Sequence, residues 1–312
     1  MKNIGTHNND DEKQLEDYLV KITKWDKENI LYEPIGGGIT NINWRILNKD
    51  ENKEYFIKVP GIGTEIFIDR KASFEANSLA AKIGLGPMVY DYLSEFGVEI
   101  YDFLNDHRTC TNSSFESLET TKKVLDGYKR FHSAGKLSVV KSGTDLVEDH
   151  FQQLSEFKCE IPEDFDFLKY NFYIAKEKLL KAGLDLVPCF HDPIAGNFLF
   201  SKSGELKMVD FEYSFQGDRY YDLAVFFGEM FFTDEIEDEL LNQYFGESDE
   251  IIKSKIYIYK AIADIKWASW AFIQDKLSTL DFDFYKYGAL KFLRARDFII
   301  NNNWSKSLGR IK

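Results

Sequence analysis

The chain has 312 residues, of which 44% are hydrophobic and 16% aromatic, a composition that excludes a disordered chain and leaves room for one large or two closely packed domains. Its 39 Lys and Arg against 52 Asp and Glu give a net charge of -13, which repels a polynucleotide, since no local basic patch is visible, but suits a small cation or a metal-neutralised nucleotide triphosphate. Cys110, Cys159 and Cys189 are too few and too scattered for a disulfide framework or a zinc site, and the polar first residues and lack of a long apolar run predict a cytosolic protein with no secretion signal and no membrane insertion.

An amphipathic stretch over residues 10–25 sets Leu15, Leu19 and Ile22 on one face and predicts a helix. The turn-rich Pro34-Ile35-Gly36-Gly37-Gly38 follows. Strand-like runs at 43–47 and 55–59 flank the polar Asn48-Lys49-Asp50-Glu51-Asn52, which suits a hairpin loop. A helix is predicted over 67–83, then two short strands at 88–93 and 98–103 separated by Glu95-Phe96-Gly97. From Ser114 the pattern is helical, broken only between Leu186 and Tyr213, where short apolar runs alternate with turn residues. Two long helices, over 249–276 and 281–301, close the chain with aromatics at three- and four-residue spacing. This is an α+β pattern in three parts: a helical extension over 1–30, a sheet-plus-helix lobe over 31–104 and a mainly helical lobe over 105–312.

The densest chemistry lies in CFHDPIAGNFLFSKSGELKMVDFEY, residues 189–213. Two apolar hairpin strands, 198–201 and 206–209, place Asp192, Asn197 and Asp210 at strand ends. Phosphoryl transfer needs such a set: a carboxylate that accepts or orients the proton of the attacking hydroxyl, and oxygen ligands for magnesium on the phosphates. The same residue types also shape loops and cap turns. Gly37 and Gly38, leading into Thr40 and Asn41 between two strand candidates, leave backbone amides bare to phosphate oxygens, although glycines between strands often only make a turn. Lys58 sits on an apolar strand and Glu75 on the helix after it, a spacing that permits a carboxylate-steadied lysine on nucleotide phosphates. Trp267 and Trp270 share one helix face, with Tyr287 on the next helix. Paired helical Trp are commonly core; the alternative is a ring box for a quaternary ammonium, backed by a carboxylate for which Glu229 and Asp192 are candidates.

Together these motifs resemble the choline and ethanolamine kinases, within the wider protein-kinase-like and aminoglycoside-phosphotransferase group, across roughly residues 31–300. GGGITNINW is similar to the family's nucleotide loop, FIKVPGIGTEIFIDRKASFEA to its lysine strand and helix, and HDPIAGN to its catalytic loop. VDFEYSFQGDRYYDLAVFFGEM looks like its metal-binding strand and following helix, and WASWAFIQDKLSTLDFDFYKYGALKF like the aromatic wall of the choline pocket.

The resemblance implies a bilobal protein-kinase-like fold binding ATP and Mg2+. Asp192 would be the catalytic base, Asn197 and Asp210 the magnesium ligands, Lys58 the phosphate-binding cation with Glu75 as its partner, and Tyr101 to Phe103 the hinge toward the adenine. Trp267, Trp270 and Tyr287 with Glu229 would receive choline, and Asp222 would be mainly structural. Two departures stand out: His191 directly precedes Asp192 while Phe190 takes the usual His place, and Lys58 stands where choline kinases tend to carry Arg. The expected function is transfer of the ATP γ-phosphoryl group to the choline hydroxyl. Its rivals are a kinase for ethanolamine, another amino alcohol or an aminoglycoside, and a catalytically silent nucleotide-binding scaffold.

Overall fold

The computed structural model describes residues 1–22, 24–36, 38 and 40–311. In chain order the elements are Lys2–Asn3 (β1), Asp10–Leu19 (α1), Ile30–Ile35 (β2), Asn41–Asn48 (β3), Lys53–Pro60 (β4), Arg70–Lys82 (α2), Val89–Leu93 (β5), Val98–Asp102 (β6) and His107–Thr109 (β7). Leu118–His132 (α3), Gly143–Glu156 (α4), Phe165–Ala182 (α5), Leu186–Cys189 (β8), Phe198–Ser201 (β9), Leu206–Met208 (β10) and Phe215–Asp218 (β11) follow. The chain ends with Arg219–Met230 (α6), Asp234–Phe245 (α7), Glu250–Leu277 (α8), Phe284–Ile300 (α9) and Asn302–Arg310 (α10). Helix starts follow local chemistry. Asn9 accepts the Glu12 amide at 2.8 Å, Asp69 takes the Lys71 and Ala72 amides, and Asp283 takes that of Lys286, so α9 begins at Phe284 and not at 281.

Two compact units emerge. The first comprises Met1–Arg108 and Leu199–Glu212. Its six-stranded antiparallel sheet runs β1-β2-β3-β4-β6-β5. Alternation along β4 turns Tyr55, Ile57 and Val59 into a core shared with Ile30, Tyr32, Trp44, Ile46, Val98 and Ile100. Leu15, Leu19, Ile22 and Trp25 belong to the same core, and Lys2 and Asn3 pair with Tyr32 and Leu31. Residues 1–30 are thus built into this unit, because burying each such side chain contributes about 1.5–3 kcal/mol that an isolated helix would forgo. Lys58 lies across from Asn43 on β3 and Glu99 on β6. The segment 199–212 is tied in where the Met208 amide donates to the Leu85 carbonyl at 2.8 Å. The boundary therefore falls at Arg108, and this hairpin groups with the sheet unit although it follows the catalytic-loop motif in sequence.

The second unit comprises Thr109–Phe198 and Tyr213–Lys312. Its hub is the 28-residue α8, buried almost all round from Ser254 to Gln274 and packed by α4, α6, α9 and α10. A helix buried on nearly every side has almost no solvent face to orient it, so its neighbours set its position. Strands β8 and β11 form a short antiparallel ribbon, Cys189 opposite Phe215, just before the loop that carries Asp192.

Candidate functional site

In the first unit a charge network surrounds Lys58. Its ammonium lies 2.5 Å from Asp210 and 3.0 Å from Glu212. Burial alone would lower its pKa, but Asp210, Glu212 and the nearby Glu99 outweigh burial and hold it above the usual lysine range. Glu212 is the centre of the network. It accepts from Thr40 Oγ1 at 2.8 Å, Asn41 Nδ2 at 2.9 Å and Arg70 Nη1 at 2.6 Å. Its burial would raise the carboxyl pKa, yet Lys58 and Arg70 hold it below the usual range. Asp210 sits in the left-handed region, φ +68°, a conformation Asp tolerates better than most residues, and 34% of its side chain is exposed, so a cation can reach it. A Cβ on Gly38 would run into the Asn41 carbonyl oxygen, which is why only glycine fits there.

The second unit supplies the loop from Phe190 to Asn197. Asp222, on α6, takes the backbone amides of Phe190 and His191, each at 2.7 Å, and the His132 Nε2 at 2.9 Å. Burial would raise this carboxyl, but the His132 hydrogen bond, the two imidazoles and the amides keep it below its ordinary value. The motif departure is thereby accommodated: Phe190 packs against Tyr128 and Phe198, and His191, at φ +65°, sets Nδ1 against the Tyr213 carbonyl at 2.9 Å. Gly217 makes room for that ring, since a Cβ there would lie 2.9 Å from His191 Nε2. Asn197 donates its side-chain N–H to the Asp192 carbonyl at 3.0 Å, which fixes the carboxamide within the loop. His132, Cys189 and Asp222 bring ligand atoms within 4.8 Å of one another, but both Asp222 oxygens already brace the loop.

Beside the loop stands a wall of rings. Tyr213 and Trp267 meet edge-on at 5.3 Å between centroids, Trp267 and Trp270 at 5.6 Å, Trp270 and Tyr287 at 6.3 Å. Such T-shaped contacts point the electron-rich face of one ring past the edge of the next. The charge of Asp192 reaches both Tyr287 and Lys266. Glu229 is bound by Lys291, with Arg294 at 3.5 Å, and Arg294 also binds Asp264.

Of the residues expected from sequence, Thr40, Asn41, Lys58 and Asp210 meet in the first unit, and Asp192, Asn197, Glu229, Trp267, Trp270 and Tyr287 in the second. Gly37 lies outside the described residues. Asp210 and Glu212 lie on Lys58 because the 199–212 hairpin, remote in sequence, packs into the sheet unit; Glu75, the partner expected from spacing, stands on α2. At the hinge, Tyr101 is paired within the sheet opposite Phe56 and bonds Glu99, and the Phe103 amide is given to the Glu54 carbonyl at 3.1 Å. The Phe103 N–H is thus used inside the fold. Sequence reasoning missed Glu212, Arg70, Glu99, Tyr213, Lys266 and Lys291. For Glu212 a signal existed, a second acid two residues beyond Asp210 in a buried run.

A family model described as choline/ethanolamine kinase matches residues 32–250. The chain is 24% identical over 297 residues to a probable choline kinase 2 of Arabidopsis thaliana, spanning 83% of each protein. To probable ethanolamine kinase A of Dictyostelium discoideum it is 22% identical over 327 residues, spanning 88% of each. Among solved structures it is similar to choline kinase LicA from Streptococcus pneumoniae, with a TM-score of 0.77 at 24% identity over 93% of this chain and 99% of that one. The shared fold is the protein-kinase-like one implied by the motifs.

Proposed function

Because the chain belongs to the choline/ethanolamine kinase family, and with it is an ATP-dependent phosphotransferase acting on an alcohol group, we propose that its acceptor is choline and its product phosphocholine, formed in the cytosol. The names of its relatives divide between choline and ethanolamine, so the choice rests on the ring wall of Tyr213, Trp267, Trp270 and Tyr287. A quaternary ammonium has no N–H to satisfy and is held by ring faces at about 0.5–2 kcal/mol per contact. A primary ammonium brings three donors, and each left unmet in a buried place costs about 1–3 kcal/mol. Glu229, the carboxylate expected behind the rings, is already engaged by Lys291.

In this reading the first unit binds the phosphates of ATP through Lys58, whose high pKa keeps it charged at any working pH. Asn197 and Asp210 are the proposed magnesium ligands, a carboxamide oxygen and a partly exposed carboxylate, and hard oxygen donors suit that ion. The metal, when bound, neutralises phosphate charge as it develops in the transfer. Asp192 holds the choline hydroxyl and takes its proton as the new oxygen–phosphorus bond forms and the γ-phosphoryl leaves ADP. Asp222 acts through the loop, fixing the Phe190 and His191 amides that lead into Asp192.

ADP release measured with choline, ethanolamine and an aminoglycoside in turn, at saturating ATP and magnesium, tests the assignment. Choline should give the highest kcat/KM. A clear preference for ethanolamine would overturn it, and nucleotide binding without acceptor-dependent ADP release would favour a silent scaffold.

A further inference from the structure

Lys266, on α8, has no place in the mechanism above. Its side chain is fully buried, 1% exposed, and among the described residues its Nζ has no hydrogen-bond partner. It lies instead on rings, 3.0 Å from the centroid of Trp267 and 4.1 Å from that of Tyr213. Two of the four rings in the wall proposed to receive the acceptor's ammonium thus already carry an amine supplied by the chain.

We propose that Lys266 is the specificity-determining residue of the acceptor wall: its amine shares the ring faces with the incoming ammonium, so a permanently cationic acceptor binds well only while Lys266 is uncharged. The proposal builds on the choline reading and adds a rule to it, that wall and acceptor together tolerate one positive charge.

The surroundings of Lys266 act on it in both directions. Asp192 from the catalytic loop and Glu229 from α6 favour its protonated form, Lys291 from α9 opposes it, and Lys266 in turn acts on His150 of α4 and His191 of the loop. Burial dominates and carries its pKa well below that of a free lysine. A protonated Lys266 adds a like charge within several ångströms of the acceptor nitrogen, which in a poorly solvated place weakens cation binding by about tenfold or more.

Tetramethylammonium, the bare head group with no hydroxyl, reads this without turnover. Its affinity is to be measured by calorimetry between about pH 6 and about pH 10 for the intact protein and for Lys266→Met and Lys266→Arg, with melting curves to confirm folding. In the unaltered protein affinity should climb by about tenfold or more as pH rises. Lys266→Met should bind tightly throughout and Lys266→Arg, charged at every pH, weakly throughout. Equal affinities with one common pH profile would overturn the proposal, as would no tetramethylammonium binding to any of the three. If a variant fails to fold, pH-independent binding by the unaltered protein overturns it alone. Should choline prove a poor phosphoryl acceptor while this pattern holds, the substrate assignment falls and the role of Lys266 stands.

Discussion

Around Lys58 in the first unit, cations and carboxylates meet directly: Lys58 with Asp210 and Glu212, Arg70 with Glu212, and Thr40 and Asn41 filling the remaining acceptor positions. Around Lys266 in the second unit the neighbours are ring faces, and among the described residues the amine has no hydrogen-bond partner. On the function proposed above, the difference follows from what each region would bind. A polyphosphate and its metal replace existing ion pairs, so a network of opposed charges can hold the site in shape until they arrive. A quaternary ammonium offers no donors, so a wall of hydrogen-bonding groups would be left unsatisfied by it, whereas rings lose nothing when the cation departs.

The largest effect should come from Asp192. Asp192→Ala is expected to lower kcat by roughly two to four orders of magnitude, with ATP affinity little changed because the nucleotide contacts proposed above lie in the other unit. An ADP-release assay at saturating substrates settles it, and near-normal turnover removes Asp192 from the chemistry. Next comes Lys58→Met, which strips the buried Glu212 of one cation while Arg70 remains. A loss of about 3 kcal/mol in urea unfolding is expected, the low end for breaking a buried pair, together with loss of ATP binding. Unchanged stability would mean that the network is not held by its charges.

The two regions also differ in how far the sequence exposed them. Strands β9 and β10 follow from apolar runs between turn residues, and the 198–201 strand matches residue for residue. Asp192, Asn197 and Asp210 stood out because three oxygen-bearing side chains gather at the ends of two apolar strands, although the same residue types also shape turns. The partners of Lys58 were illegible, since spacing along the chain favours a neighbour on the next helix, and only tertiary packing brings in a hairpin about 150 residues away. Trp267, Trp270 and Tyr287 could be read from helical periodicity. Lys266 could not, because a lysine inside an apolar helix looks like a solvent-facing position until the helix proves to be buried on every side. Asp222 was expected from family likeness to be mainly structural, and its bonds to the Phe190 and His191 amides show what it holds.

A pH experiment sharpens the comparison from the second unit. Burial, helped by the charge of Lys266, lowers the His150 pKa to about 3. Its folded value lies below the unfolded one of about 6.5, so between the two the unfolded chain takes up a proton that the folded chain refuses. Stability should therefore fall as pH drops from about 6.5 toward about 3, by a few kcal/mol from this group. Denaturant midpoints for the unaltered protein and His150→Gln across that window should differ in slope by up to about one proton; identical slopes would show that His150 titrates normally in the folded chain.

The smallest effect is the one that separates ring from charge. Tyr287 lies half-buried beside Trp270, with the Lys291 ammonium 5.4 Å from its ring centroid and Glu229 bound to that same lysine. If the wall works through ring faces, Tyr287→Leu should raise the choline KM by about five- to tenfold, the equivalent of one cation–π contact, and leave kcat almost unchanged, because binding would be lost equally in ground and transition states. Tyr287→Phe, which keeps the face and removes only the hydroxyl, should behave like the unaltered protein. A large effect of the phenylalanine would transfer the role from ring to hydroxyl and favour an acceptor that needs hydrogen bonds, as a primary ammonium does.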